Sequence, residues 1–522
     1  MKLVTDPAIA LKISRMKERV RWRHPFILKR EIDQTQLVID GAELDNPDFS
    51  FLVIGDSGSG YHRGDNPQRR VAKSLLSQQQ ACRFILHTGD VIYLVGSSEQ
   101  YPQNFIRPYR EFLVGGENPQ QIAYDRMVFN YPFLPVPGNH DYYDLPFVFG
   151  AIAQTFLPVR RLLRYQLDLD VGWHGSRKGD AYAKAFLDYL LNKDGEPLAR
   201  HLDRHYTAKT STQRCLRYQP GHFTRLPNRY YSFRVGGIDF FALDSNTFNA
   251  PLPLEDLEVW QITHQQLIAR RQKLLATQQS LLNQATDLES QPDAADSDEA
   301  NDLYSKVEQI EEQIRDIEKQ LNADQNSSDV DTEQLHWLQT RLIESWQDPA
   351  VRGRVLYFHH PPYVTEATKW YQGQTLAIRY RLRQVLDQVQ QALGDRPPDQ
   401  PLVDLVISGH AHCFEYLRTE ATGHADANLN WVVCGGSGYS LRRQRPEGAV
   451  LTEILADDQP QIVAKSHCFA GRNGHGSQKR HPFSFLRVDV QAGQPVKIIL
   501  RPFIVERHHR QWKEYALPPI NL

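Results

Sequence analysis

Short apolar runs recur along the chain, and each stops at a compact polar cluster. The runs are "FSFLVIGDSGSG" (residues 49–60), "RFILHTGDVIY" (83–93), "PFLPVPGNHDYY" (132–143), "RVLYFHHPPY" (354–363) and "VISGHAHCFEY" (406–416). Each predicts a buried strand followed by a polar loop. Between the first two lies "NPQRRVAKSLLSQQQACR", with Val71, Leu75 and Leu76 at helical spacing. Strand, helix, strand implies a right-handed crossover in a mostly parallel sheet. Ligands bind such sheets at the carboxyl ends of the strands, where every one of these polar clusters falls. Residues 229–248 read as two strands around Gly236-Gly237, a hairpin signal. "WVVCGGSGYSL", "PFSFLRVDV" and "VKIILRPFIVERHHRQW" add further strands toward the C-terminus. The expected fold is α/β, a two-sheet β-sandwich flanked by helices.

Residues 251–331 change period. Trp260, Leu267, Leu274, Leu281 and Leu288 recur every seven positions, and Leu303, Val307, Ile310, Ile314, Ile317 and Leu321 alternate spacings of four and three. This is a coiled-coil seam, interrupted by the acidic, turn-prone "SQPDAADSDEAND". An inserted antiparallel helical hairpin is expected, its second helix roughly 33 Å long from Ala300 to Leu321 at 1.5 Å per residue. The domain reading is an N-terminal extension over 1–48 and one domain over 49–522. That domain carries two insertions, a mostly helical cap at 145–228 and the hairpin at 251–331. Residues 145–164, apolar with a basic tail, predict either a packed covering helix or a lipid-facing element.

Composition narrows the class. Of 522 residues, 41% are apolar and 23% charged, an ordinary globular balance. The net charge of −2, from 60 basic and 62 acidic residues, gives no electrostatic case for nucleic acid. Cys82, Cys215, Cys413, Cys434 and Cys468 are scattered without a CxxC pair, which argues against a disulfide framework or a zinc finger. No apolar stretch is long enough for a transmembrane helix, and the first residues show no secretory leader. A reduced, cytoplasmic setting is expected.

The strand-end residues are Asp56, Asp90, Tyr93, Asn139, His140, Asp141, His359, His410 and His412. Singly, each pattern is weak: "GNHD" suits a tight turn, and His359-His360 before two prolines suits a stiff loop. Two histidines at i and i+2 face the same side of an extended backbone. Mixed Asp, Asn, Tyr and His donors at five strand ends suit borderline and hard metals.

The five blocks resemble those of the calcineurin-like metallophosphoesterase superfamily. They are most similar to its purple acid phosphatase branch, with the pattern GDxG, GDxxY, GNH(D/E), VxxH and GHxH; Leu356 stands where the fourth block has Val. The resemblance implies two metal ions. Asp56, Asp90, Tyr93 and His412 would hold the first, Asn139, His359 and His410 the second, with Asp90 bridging. His410 and His412 are then divided between two metals rather than shared by one. Most of the superfamily has a histidine ligand where Gly58 stands here; Tyr93 makes up for it. Its phenolate favours Fe(III), with iron, zinc or manganese at the second position. Gly409 is expected to let the backbone turn into the site, and Cys413 to be packing.

The activity implied by the resemblance is hydrolysis of phosphate esters, with monoesters as the expected substrates. A metal-bridging hydroxide would be the nucleophile, His140 the general acid, and Asp141 either the group that orients it or a loop cap. A phosphodiesterase acting on cyclic nucleotides or glycerophospho compounds uses the same core. A third reading is a scaffold that binds a protein partner, or itself, through 251–331. The hairpin is otherwise a lid or a solvated structural element. Substrate contacts are not carried over by the resemblance; His62, Arg63, His360 and Lys369 are the candidates.

Overall fold

The computed structural model describes residues 4–41, 46–58, 66–144, 175–210, 213–253, 264–289, 298–323, 330–394, 400–454, 459–475, 478–509 and 511–522. Residues 145–164, His62 and Arg63 therefore lie outside the described residues.

Two sheets form the body. The smaller, of seven strands, contains β2 (Phe49–Ile54), β3 (Ile85–His87), β4 (Phe133–Pro135), β15 (Arg480–Gln491), β16 (Lys497–His508), β17 (Gln511–Ala516) and β18 (Ile520–Asn521). The larger, of eleven, contains β1 (Ile32–Ile39), β5 (Ala208–Lys209), β6 (Arg214–Tyr218), β7 (Tyr231–Val235), β8 (Ile238–Ala242), β9 (Gly353–Tyr357), β10 (Leu405–Ser408), β11 (Phe414–Thr419), β12 (Asn430–Cys434), β13 (Val450–Ile454) and β14 (Pro460–Ala470). β2, β3 and β4 run parallel, as do β8, β9, β10 and β12. The predicted hairpin joins β7 to β8, with Gly236 and Gly237 at φ 55° and 74°. Both central positions of such a turn need φ > 0, which glycine adopts without steric penalty. β1, from the first 48 residues, pairs with β6 and β7 inside the larger sheet.

The sheets pack face to face through aromatic rings. Phe51 of β2 meets Phe240 of β8 edge-on at 5.4 Å, and Phe84 meets Phe233 of β7 at 5.6 Å. Alternation along the larger sheet divides its two faces. Phe240, Val355, Tyr357, Leu405 and Ile407 enter the inter-sheet core, while Phe241, Leu356, Val406 and Val433 face the opposite way.

Helices cover the outer faces. They are α1 (Ile9–Arg19), α2 (Pro25–Leu28), α3 (Pro67–Gln79), α4 (Asp180–Phe186), α5 (Gly195–His205), α6 (His264–Glu289), α7 (Asp298–Leu321), α8 (Thr332–Gln347) and α9 (Gly373–Leu393). α3 starts where Asn66 caps the Arg69 N–H and Pro67 presets the first turn. It packs on β15 and β16. α8 and α9 bury Leu338, Leu342, Ile378 and Leu382 against the far face of the larger sheet. The order is helix, sheet, sheet, helix, as expected.

α6 and α7 pair lengthwise, with Arg271 bridging to Glu318 at 3.3 Å. The two seams are covered unequally. Val307, Ile310, Ile314 and Ile317 of α7 are buried, whereas on α6 Leu267 is buried and Leu274 and Leu281 are half-buried. The cause is position: α7 lies between α6 and the body of the fold.

Candidate metal centre

Each polar cluster lies just past the end of its strand. Asp56 follows β2, Asp90 and Tyr93 follow β3, and Asn139 and His140 follow β4, all on the smaller sheet. His359 follows β9, and His410 and His412 follow β10, on the larger one. Face-to-face packing brings these loops together at one end of the sandwich. None of Asp56, Asp90, Tyr93, Asn139, His359, His410 and His412 is more than 4% exposed. The backbone is left-handed at Asp56, Asp90, His410 and His412, with φ of 51°, 55°, 67° and 48°. Such conformations cost about 1–3 kcal/mol each outside glycine and cluster at functional sites.

The donors fall into two groups. In the first, the Tyr93 hydroxyl stands 2.9 Å from Asp56 Oδ1, 2.7 Å from Asp90 Oδ2 and 2.9 Å from His412 Nε2. In the second, His359 Nε2 stands 2.9 Å from Asn139 Oδ1 and 3.1 Å from His410 Nδ1. Asp90 Oδ2 is also 3.2 Å from His359 Nε2, so one carboxylate oxygen belongs to both groups. The resemblance, rather than the spacing of the motifs, implies the same two groups.

The histidine tautomers are set from behind. His359 Nδ1–H donates to Thr88 O at 2.8 Å, and His412 Nδ1–H to Ser440 O at 2.9 Å, leaving Nε2 of each free to face inward. Burial and the Lys369 charge, against the opposing pull of Glu312, leave His410 at about 3, and burial with Arg442 holds His412 well below the ordinary value. These shifts favour the uncharged imidazole in His410 and His412, whereas at His359 burial is outweighed by Asp90 and Asp56, which raise it to about 9. Burial pushes Asp56 up to about 6, against the pull of His359. Burial opposes charge at Asp90 as well, but His359 and His140 hold that carboxyl well below its usual range.

This donor set fits two cations. Among the described residues, the ion-pair partners of Asp56 and Asp90 are histidines, not lysine or arginine. Two fully buried carboxylates without a permanent cation are costly. Close-lying carboxylate, imidazole and amide groups are the chemistry that hard or borderline metals satisfy. Asp56, Asp90 and His359 alone already bring three ligand atoms within 4.8 Å of one another.

Gly58 and Tyr93 are linked by space as well as by ligand count. A Cβ on Gly58 would stand 2.7 Å from Tyr93 N, so a histidine does not fit there while the Tyr93 loop keeps its path. At Gly409 the reason differs from the expected turn. Its Cβ would meet Asp56 Oδ2 and Thr88 Oγ1, each at 2.6 Å. The glycine is required by close approach. Cys413 is buried in the outer core, as expected of packing.

Asp141 does not orient His140. Its carboxylate accepts the backbone N–H groups of Asp90 (3.1 Å), Val91 (3.2 Å) and Gly138 (2.9 Å), and so ties the second and third motif loops together. His140 is held by its own backbone N–H on Asp90 Oδ1 at 2.8 Å, and by Nδ1–H on Leu94 O at 2.5 Å. His360 Nδ1 lies 2.8 Å from Ser245 Oγ, its ring is 4.5 Å from that of His410, and with His359 and His410 it forms a second group of three donors within 4.8 Å of one another.

Comparison with known proteins yields distant likenesses. No protein-family model and no curated protein matches the chain. Among solved structures, it is similar to a purple acid phosphatase, PPD1, from yellow lupin (Lupinus luteus) seeds. The identity is 11% and the TM-score 0.41, over 91% of this chain and 54% of that one. It thus spans about half of the lupin protein. It is also similar to PhoD, at 12% identity and TM-score 0.38, over 91% and 69%. A third is GAP50, the anchor in the inner membrane complex of Plasmodium, at 13% and 0.34, over 90% and 88%. The motif set resembles that of the calcineurin-like metallophosphoesterases, and the two-sheet architecture is the one that this resemblance implies.

On that fold, the hairpin brings residues that the motifs did not announce. Glu308 of α7 accepts from the Tyr439 hydroxyl at 2.8 Å, and Tyr439 stacks on Tyr93. Ser305 Oγ meets Ser440 Oγ at 2.9 Å. Glu312 is ion-paired to Lys369 and lies 3.1 Å from His410 Nε2. Lys369 is 1% exposed and therefore part of this site rather than of the surface. The sequence held one signal for Ser305, Glu308 and Glu312, their three- and four-residue spacing on one helix face. A solvated helix face has the same spacing.

Proposed function

We propose that the chain is a dinuclear-metal hydrolase of phosphate esters, with monoesters as substrates. The observation that carries this reading is the sharing of Asp90 Oδ2 between two donor groups drawn from both sheets. Asp56, Asp90, Tyr93 and His412 would hold one ion, iron(III) by the preference of a phenolate; Asn139, His359 and His410, with Asp90, would hold iron, zinc or manganese. Such a pair supplies an ionised water near neutral pH and neutralises charge on the phosphoryl group.

The chain's own residues do the rest. His140 delivers the proton to the leaving alkoxide. Its Nδ1 is occupied by Leu94 O, so Nε2 is the nitrogen that serves, and its backbone is fixed by the shared Asp90. Asp141 holds the Asp90 and Asn139 loops at a fixed separation, which positions the two groups rather than moving a proton. α7 lies over the donors, with Glu308 on Tyr439 and Glu312 beside His410. Among the described residues no helix is long and apolar enough to cross a membrane. The scattered, free cysteines support a cytoplasmic setting.

The test is metal analysis with a visible spectrum on protein purified without chelator, followed by a panel of phosphate mono- and diesters. Two metals per chain and faster turnover of monoesters are expected. Faster turnover of diesters would transfer the reading to a phosphodiesterase, and absence of bound metal would overturn it.

A further inference from the structure

The three histidines of the two donor groups differ in what holds their outer nitrogen. For His359 and His412 it is a backbone carbonyl of the body, Thr88 O and Ser440 O, with Arg442 Nε also 3.3 Å from His412 Nδ1. His410 is turned the other way. Its Nδ1 faces inward, 3.1 Å from His359 Nε2, and its Nε2 faces the inserted hairpin. A neutral imidazole that ligates through Nδ1 carries its proton on Nε2. That N–H needs an acceptor, since it is buried.

Three groups lie at Nε2: Lys369 Nζ at 2.9 Å, Gln374 Nε2 at 3.0 Å and Glu312 Oε1 at 3.1 Å. The first two are donors. Glu312 is the acceptor, and Lys369, ion-paired to it, holds the carboxylate in place. Resting on the dinuclear reading above, we propose that Glu312 is a positioning residue for the second metal. Through the Nε2–H of His410 it fixes the ring so that Nδ1 faces the centre. An inserted helix would thereby supply the carboxylate of a carboxylate–histidine–metal arrangement.

Contacts on both sides of Glu312 along α7 hold it in place. It is the middle member of a stripe on α7 formed by Ser305, Glu308, Glu312, Asp316 and Lys319. Its neighbours reach Ser440, Tyr439, the backbone N–H groups of Gly373 and Gln374, and Asp6. Asp316 accepts the two N–H groups at 2.8 and 3.0 Å, at the positively polarised start of α9. The helix is fastened on both sides of Glu312, whose side chain is 15% exposed.

The experiment is zinc titration of the stripped full-length protein against a chromophoric chelator, for the wild type, Glu312→Gln and Glu312→Leu. The wild type should bind two zinc ions. Glu312→Leu should weaken one of the two affinities by roughly 10–100-fold, as loss of such a carboxylate does elsewhere, and leave the other unchanged. Glu312→Gln should fall between, because its amide oxygen still accepts from Nε2–H. Both affinities of Glu312→Leu staying within about twofold of wild type would overturn the role of Glu312 and leave the dinuclear reading intact. So would an equal loss of both. A wild type that binds fewer than two ions would overturn the dinuclear reading and this inference with it.

Discussion

The ring of Tyr439 lies flat on that of Tyr93, with centroids 3.7 Å apart and planes 9° apart. The Tyr439 hydroxyl donates to Glu308, so the stack joins a predicted metal ligand to the hairpin. If Tyr93 binds iron(III), oxidised protein should absorb in the visible by charge transfer from phenolate to metal. Tyr93→Phe should abolish the band. Tyr439→Leu should keep it but shift its position, because the stacked ring is gone. Iron-loaded oxidised protein without colour, or a Tyr93→Phe variant with an unchanged spectrum, would refute the assignment.

His140→Ala should separate substrates by leaving group. Removing a general acid costs roughly 10²–10⁴-fold where the leaving group needs a proton. Turnover of alkyl phosphates should fall by that order, and nitrophenyl phosphate should be much less affected. Equal losses on both would remove His140 from the role.

The same residue fixes the sign of a pH effect. Burial lowers the His140 pKa below its ordinary value, against the opposing pull of Asp90. A general acid acts in its protonated form, so turnover of alkyl phosphates should be greatest on the acid side. It should decline as pH rises through a value below 6.5. The test is a kcat/KM profile for wild type and His140→Ala, in which the variant should lack that limb.

Arg229 provides a stability test away from the metals. It is 1% exposed and reaches Asp244 (3.3 Å), Thr247 (3.0 Å) and Asp331. It thus joins the end of β8 to the residue that caps α8. Removing one member of a buried ion pair typically costs about 3–5 kcal/mol. Arg229→Ala should lower the denaturation midpoint accordingly, with Asp244 and Asp331 left uncompensated.

Closure by the hairpin can be tested by locking it. Ser305 and Ser440 touch through their hydroxyls at 2.9 Å, so Ser305→Cys with Ser440→Cys places two thiols within reach. If substrate enters by displacement of α7, the oxidised double variant should lose most of its turnover and regain it with dithiothreitol. Full activity in the oxidised state would show that the hairpin stays in place during catalysis.

The strands and their polar ends were legible because burial on both faces writes a continuous apolar run, and the loop after it is marked by Gly, Asp, Asn or His. The division of donors into two groups was legible only through resemblance; spacing alone put His410 and His412 on one centre. Asp141 was hard to place because an acceptor of backbone N–H groups looks in sequence like any acid beside a histidine. Glu312 was invisible for another reason. The heptad pattern of 303–321 locates the seam shared with α6, but the stripe carrying Glu312 has its partners far away, at Lys369, His410 and Tyr439. β1 was also obscure: Gln34, Thr35 and Gln36 interrupt its apolar alternation, yet the strand pairs on both edges.

Asp56, Asp90, Tyr93 and Asn139 belong to one layer of the sandwich, and His359, His410 and His412 to the other. Bound ions would therefore rivet the two layers at one end, while Phe51 against Phe240 holds them further in. Metal affinity then becomes a gauge of interlayer spacing. A substitution that thins or thickens that aromatic contact should register as altered ion release, without touching a single ligand.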